Sequence, residues 1–221
     1  MKPVQDVIKP LNMKTYFKYL PIVLLFVACK KDEMVVDNGS AGLNATSHAQ
    51  FAVGNYWLYD GFTIDSITGD ATPINIHDSI YIVKDTTISG ALYHQFKGGH
   101  FGPESFYRNL RVDGARIVDE NGRIYMDMNA QQDTVEIMPG WSVVDSAARV
   151  MHSGMAQLET PSGNFSSEFW QETLMYMQDP YPSPQKEEEY YVDGIGVAMY
   201  SAPFVSSAVV IEMRLSSYFV Q

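Results

Sequence analysis

The chain has 221 residues and a formal net charge of -11, with 46% hydrophobic and 19% charged residues. One packed domain with a tail fits that length and composition, and wholesale disorder does not. The acidity works against phosphate backbones, hence against nucleic-acid binding, and a lone cysteine excludes a disulfide framework, CxxC redox chemistry and cysteine-rich zinc sites.

Lys14 and Lys18 precede a nearly unbroken apolar run, residues 19–28, interrupted by Pro21 and followed at once by Cys29. A basic start, a short apolar stretch and a small residue before the cut make a secretory signal. Ten residues are about half of what a spanning helix needs. Met13 opens a complete signal by itself, so translation is expected to start there or at Met1, with the same mature chain. "FVAC", residues 26–29, resembles the bacterial lipobox, with Phe26 where leucine is usual. The resemblance implies cleavage after Ala28 and acylation of Cys29 by several chains, palmitate among them. Each buried CH₂ adds about 0.8 kcal/mol, so several chains anchor stably. "CKKDE" resembles the start of Bacteroidota-type surface lipoproteins, which implies that Lys31, Asp32 and Glu33 act as a surface-export signal. Residues 1–28 hold four lysines and one acid, so the mature chain keeps 11 basic against 25 acidic residues, a net charge of -14. A body so acidic is repelled by anionic lipid, and attachment is expected through the acyl chains alone, with the domain held off the membrane.

Residues 29–49, small and polar after the cysteine, read as a tether, and 50–221 as one domain. The domain reads as strands. In "RIYMDMN" Ile124, Met126 and Met128 alternate with Arg123, Tyr125, Asp127 and Asn129. In "VVIEMRLSSYF" Val209, Ile211, Met213, Leu215 and Phe219 are expected inward, with Glu212, Arg214 and Ser216 outward. Turn signals recur at Gly69, Gly90, Gly114, Gly122, Gly163 and Gly194, the spacing of successive hairpins. A single short helix is expected across 146–151. The fold expected is therefore all-β, an antiparallel meander closing into an open or closed barrel, with at most one short helix.

Three stretches carry a second resemblance: "VGNYWLYD" at 53–60, "ETPSGNF" at 159–165 and "YYVDGIGVAMY" at 190–200. Together they resemble a mostly uncharacterised group of secreted Bacteroidota domains. The resemblance implies a lipocalin-like or lipoprotein-carrier-like antiparallel barrel and supplies no catalytic residue.

No nucleophile elbow, phosphate loop or dinucleotide fingerprint is present. His94 and His100, with Glu104 nearby, match no metal-ligand spacing, so neither metal nor cofactor is expected. Asp127 with Glu136 is the carboxylate pair a hydrolase reading would need. Twelve methionines suggest an adaptable apolar interior, and Met126, Met128, Met175, Met177 and Met213 are the candidates to line a ligand cavity. Asp followed by Ser or Thr and an apolar, Ala or Thr residue resembles a Bacteroidota O-glycosylation acceptor. It marks Ser66, Ser79, Thr86, Thr134 and Ser146. Tyr56, Trp57, Tyr59, Trp141 and Trp170 are candidates for an aromatic platform. The expected function is a non-enzymatic outer-membrane or cell-surface lipoprotein that binds an apolar ligand, a glycan or a partner protein. The alternatives are a periplasm-facing lipid carrier or assembly factor, and a carboxylate-dependent hydrolase.

Overall fold

The computed structural model describes residues 43–65, 68–99, 106–130, 132–177, 185–203 and 209–221. The signal segment, Cys29, Lys31, Asp32, Glu33, Ser66, His100 and Glu104 lie outside them. The unit Ala41–Gln221 is one body. In chain order it contains α1 (Thr46–Ala49), β1 (Tyr56–Ile64), β2 (Ala71–Ile88), β3 (Ala91–Gly98), β4 (Tyr107–Asp113), β5 (Arg116–Asp119) and β6 (Ile124–Asp127). These are followed by β7 (Asp133–Trp141), β8 (Val144–Thr160), β9 (Gly163–Met177), β10 (Gln185–Val192), β11 (Gly196–Pro203) and β12 (Val210–Phe219).

Apart from β6 and β7, which share no ladder among the described residues, each strand pairs antiparallel with its chain neighbours, and β1 also pairs with β12. The twelve-stranded sheet begins at β6 and ends at β7, a nearly closed barrel whose seam falls in the middle of the sequence rather than at its termini. The turns expected from the sequence connect the strands. Ser89 (φ 50) and Gly90 (φ 83) form the two-residue turn between β2 and β3, both with the positive φ that a type I′ hairpin needs. A Cβ on Gly90 meets nothing within 4 Å. Gly90→Ala is therefore expected to cost about 1 kcal/mol from backbone strain alone, read as a lower urea midpoint with an unchanged slope.

Three expectations need correction. Residues 146–151 are not helical. They belong to β8, where Ala147, Arg149 and Met151 are buried in alternation, the period of a strand. The short helix is α1 instead, inside the segment read as tether, with Ala45, His48 and Ala49 buried, so the domain begins earlier than residue 50. Third, Ile211, Met213 and Leu215 point inward as expected, but Phe219 is 49% and Val209 41% exposed. The register shifts opposite Leu58/Tyr59, so Leu215 pairs with Tyr59 and Ser217 with Leu58, leaving Ser216 as the extra residue. One inserted residue moves the rest of the strand to the other face, and Phe219 follows Tyr56 outward.

The interior is packed from all sides. Trp57 and Tyr59 (β1), Ile82 (β2), Ile117 (β5), Met126 (β6), Met151 (β8), Tyr200 (β11) and Met213 (β12) form one buried cluster. The first and third motifs interlock there. Trp57 Nε1 donates to Ile195 O at 2.7 Å and Tyr59 OH to Val197 O at 2.8 Å. Tyr200 OH donates to Asp78 Oδ2 at 2.5 Å.

Candidate functional site

Chain direction defines two ends. At the base, where β1 begins, α1 and its N-cap residue hydrogen-bond two hairpin turns: Ala45 N donates to Gly114 O (3.0 Å) and Gly194 N to Ser47 O (2.8 Å). The short helix plugs this end, placing His48 and Ala49 against the interior. The opposite end, where β4, β6 and β10 begin and β9 and β11 finish, is the mouth.

A polar pocket of about 180 Å³ opens at the mouth. β4 contributes Arg108, β6 Tyr125, β8 Arg149, β9 Gln171 and Thr173, β10 Glu187, Glu188 and Glu189, and β11 Ser201. Behind it, sharing Arg108, Tyr125 and Glu189, is an aromatic-walled cavity of only about 30 Å³ between Trp57, Tyr59, Phe96 and Tyr191. That is room for a water molecule or two.

The mouth is built around two guanidinium groups on the ring of Tyr125. Arg149 stands 5.3 Å from its centroid and Arg108 5.7 Å, with Arg108 also 5.8 Å from Phe96. Such contacts hold a cation through the ring quadrupole. Arg149 is structural. Its side chain is 8% exposed, and its Nη1 donates to Glu136 Oε2 (2.5 Å) and Ile124 O (2.9 Å). Gln171, with its amide turned to suit, accepts from Arg149 Nε at 2.8 Å and donates to Tyr125 O. Tyr191 OH reaches Tyr125 O at 3.3 Å. Side chains of β8, β9 and β10 thus satisfy backbone carbonyls of β6 at the seam, where no ladder joins β6 to β7 among the described residues.

Arg108 is different. Its Nε is buried with no hydrogen-bond partner among the described residues. Glu189 is also buried, and its charge acts on the Tyr191 phenol. Burial, reinforced by Glu189, pushes the phenols of Tyr59 and Tyr191 well above their ordinary pKa, with Arg108 pulling the other way. Both stay neutral hydroxyls.

His48, which lines the cavity, carries the second buried orphan among the described residues, Nε2. Burial lowers its pKa, opposed more weakly by Asp193 and Glu168. A histidine held neutral in the fold is protonated first in the unfolded chain. Its contribution is complete above about pH 6.5 and is lost as pH falls toward the depressed folded value. Urea midpoints measured from pH 8 to pH 5 should therefore fall, and His48→Phe should flatten part of that fall.

The expected cavity methionines do not gather. Met126, Met128 and Met213 are packed in the main core, while Met175 and Met177 belong to a separate cluster with Met138, Val144 and Ala147. None of the five lines the internal cavity. The expected platform is also divided. Trp57 and Tyr59 are interior, Trp141 is exposed on β7, and Trp170 is stacked on the outer wall between His152 (5.2 Å) and Tyr190 (6.0 Å). Asp127 is bound by Arg116 Nε at 2.6 Å, whereas Glu136 is shared by Arg149 and Arg123, so each carboxylate has its own arginine. His94 faces Asp85 at 2.8 Å. Of the glycosylation candidates Thr134 is exposed at the start of β7, while Ser79, Thr86 and Ser146 are half-buried within strands rather than in turns. Arg108, Arg149 and Glu189 were not singled out from the sequence. The available signal was a charged residue at a core phase, as in Ala147-Arg149-Met151 and Glu189-Tyr191.

No protein-family model matches the chain, and no curated protein does. Solved structures that match include one described as an exported protein with a YmcC-like fold from Bacteroides fragilis NCTC 9343, at 10% identity and TM-score 0.44, covering 76% of this chain and 96% of that one. Another is described as a lipoprotein from Parabacteroides distasonis ATCC 8503, at 10% identity and TM-score 0.42, covering 78% and 98%. Likeness at this level carries no argument about what the chain binds.

Proposed function

We propose that this chain is a non-enzymatic lipoprotein, held in the outer membrane by acyl chains on Cys29, displayed at the cell surface through Lys31, Asp32 and Glu33, and binding a glycan at the polar mouth of its barrel. The supporting observation is the contrast between the two spaces. The cavity between Trp57, Tyr59, Phe96 and Tyr191 has about 30 Å³ free among the described residues, while the mouth offers about 180 Å³ bordered by guanidinium, carboxylate, amide and hydroxyl groups beside Tyr125. Planar polar groups beside an aromatic face suit a hydroxyl-rich ring, whose edges hydrogen-bond while its C–H face packs. The lipid-carrier reading has less support, because an acyl chain has no room in so small a cavity. In this reading "lipocalin-like" describes the meander and not a ligand-holding interior.

The test is saturation-transfer NMR of the mature protein against a panel of envelope oligosaccharides. Arg108→Lys keeps the charge and loses the planar fork, and should weaken glycan binding about tenfold, or about 1.4 kcal/mol. Failure of every glycan in the panel to bind contradicts the reading. Protease shaving of intact cells reads the surface location, since a periplasm-facing protein survives it.

A further inference from the structure

We propose that the outer wall at the base of β12, β1 and β2 rests on a zwitterionic lipid surface, so that the barrel stands base-down with its mouth pointing away. The proposal rests on the lipid-anchor reading of Cys29. Phe219, Tyr56 and Tyr81 are directly opposite one another on three adjacent strands. Their ring centroids are 6.0 and 6.1 Å apart. Phe219 is 49% and Tyr81 40% exposed, and the exposed Val53 and Val83 lie at the same end. Gln221 Nε2 donates to Val53 O at 2.9 Å, tying that valine to the end of the chain beyond Phe219. The extra residue at Ser216 is what turns Phe219 out to complete this row.

The occupant follows from where the rest of the chain joins. Leu43, the first described residue, leads directly into α1 at the base. Thirteen residues lie between Cys29 and Leu43, and the fourteen steps from one to the other reach at most about 50 Å. An acylated Cys29 therefore keeps the base within a short distance of the bilayer, where even weak surface contacts become effectively intramolecular. Tyrosine suits that zone, with the ring at the acyl boundary and the hydroxyl in the headgroups, and phenylalanine suits its apolar side. Phe219, Tyr56, Tyr81, Val53 and Val83 carry no charge, whereas the mature chain is strongly acidic. That combination fits phosphatidylcholine-like headgroups and disfavours anionic ones. The proposal revises the expectation that the domain stands clear of the membrane.

The experiment uses the acylated full-length mature protein in phosphatidylcholine vesicles, with one cysteine introduced at Ser217, beside the patch, or at Ile137, 77% exposed on β7. Acylated Cys29 leaves the new thiol as the sole site for a nitroxide label. The ratio of oxygen to nickel-complex accessibility is expected to be severalfold higher at 217 than at 137, and to fall to the level of 137 when Tyr81→Ser and Phe219→Ser are added. Equal ratios at 217 and 137 overturn the proposal. So does spin–spin broadening at 217 that grows with protein density, which assigns the patch to a second copy. Intact mass of the same sample reads the anchor separately: acylated protein with equal ratios defeats base contact alone, and an unacylated Cys29 defeats both.

Discussion

Arg149→Ala is expected to destabilise the barrel by about 3–5 kcal/mol, the cost of removing one partner from a buried ion pair. The side chain is almost wholly enclosed and serves Glu136, Ile124 O and Gln171 at once. Its loss leaves Glu136 with only the more exposed Arg123, at 3.3 Å, and returns a β6 carbonyl to an unpaired state. For a domain whose whole stability is about 5–15 kcal/mol, this is a large share. The effect should also be local. Amide exchange in β5 and β6 should accelerate more than in β1 and β12, because the seam is where the ladder is interrupted. Urea unfolding measures the magnitude and hydrogen exchange the place. Adding Glu136→Gln to Arg149→Ala should recover part of the loss, since the stranded charge goes with it. A loss below about 1 kcal/mol would mean that the seam does not depend on this pair.

Trp57→Ala is expected to cost a similar amount, about 3–5 kcal/mol, through the cavity it leaves. The ring is 3% exposed and lies 6.5 Å from Phe96 at an interplanar angle of 16°. A Cβ on Gly196 would meet it at 3.3 Å, which places the β11 backbone directly on the indole. Trp57→Phe keeps most of the volume and leaves Ile195 O without its donor, so it should cost only about 1–2 kcal/mol. The difference between the two substitutions separates packing from hydrogen bonding. It also tests whether the motif at 53–60 is maintained by the one at 190–200, 138 positions away along the chain.

The strands and turns were legible because both leave local marks. Alternation at 211, 213 and 215 and the glycine turns are read from a few neighbouring residues. The closure between β1 and β12 and the seam between β6 and β7 are not local, and no pattern within either strand reports its partner. The bulge at Ser216 was invisible because it is defined by the opposite strand, where Leu58 and Tyr59 answer Ser217 and Leu215. A short helix was expected across residues 146–151, but this stretch pairs with β9 as part of β8, and sheet context overrides local preference. The polar mouth was harder still. Arg108, Arg149 and Glu189 come from β4, β8 and β10, and only the barrel brings them together. Methionine content suggested an open apolar interior, yet flexible thioethers fill space as readily as they line it.

The most direct test of the central claim is native mass spectrometry of the protein purified from membranes of a host with the complete lipoprotein machinery. The predicted mass is that of residues 29–221 with acyl chains on Cys29 and no further lipid retained in the barrel. A mass that keeps residues 1–28, or shows Cys29 as a free thiol, would contradict the anchored protein. A bound lipid beyond the anchor would contradict the filled interior and restore the carrier reading.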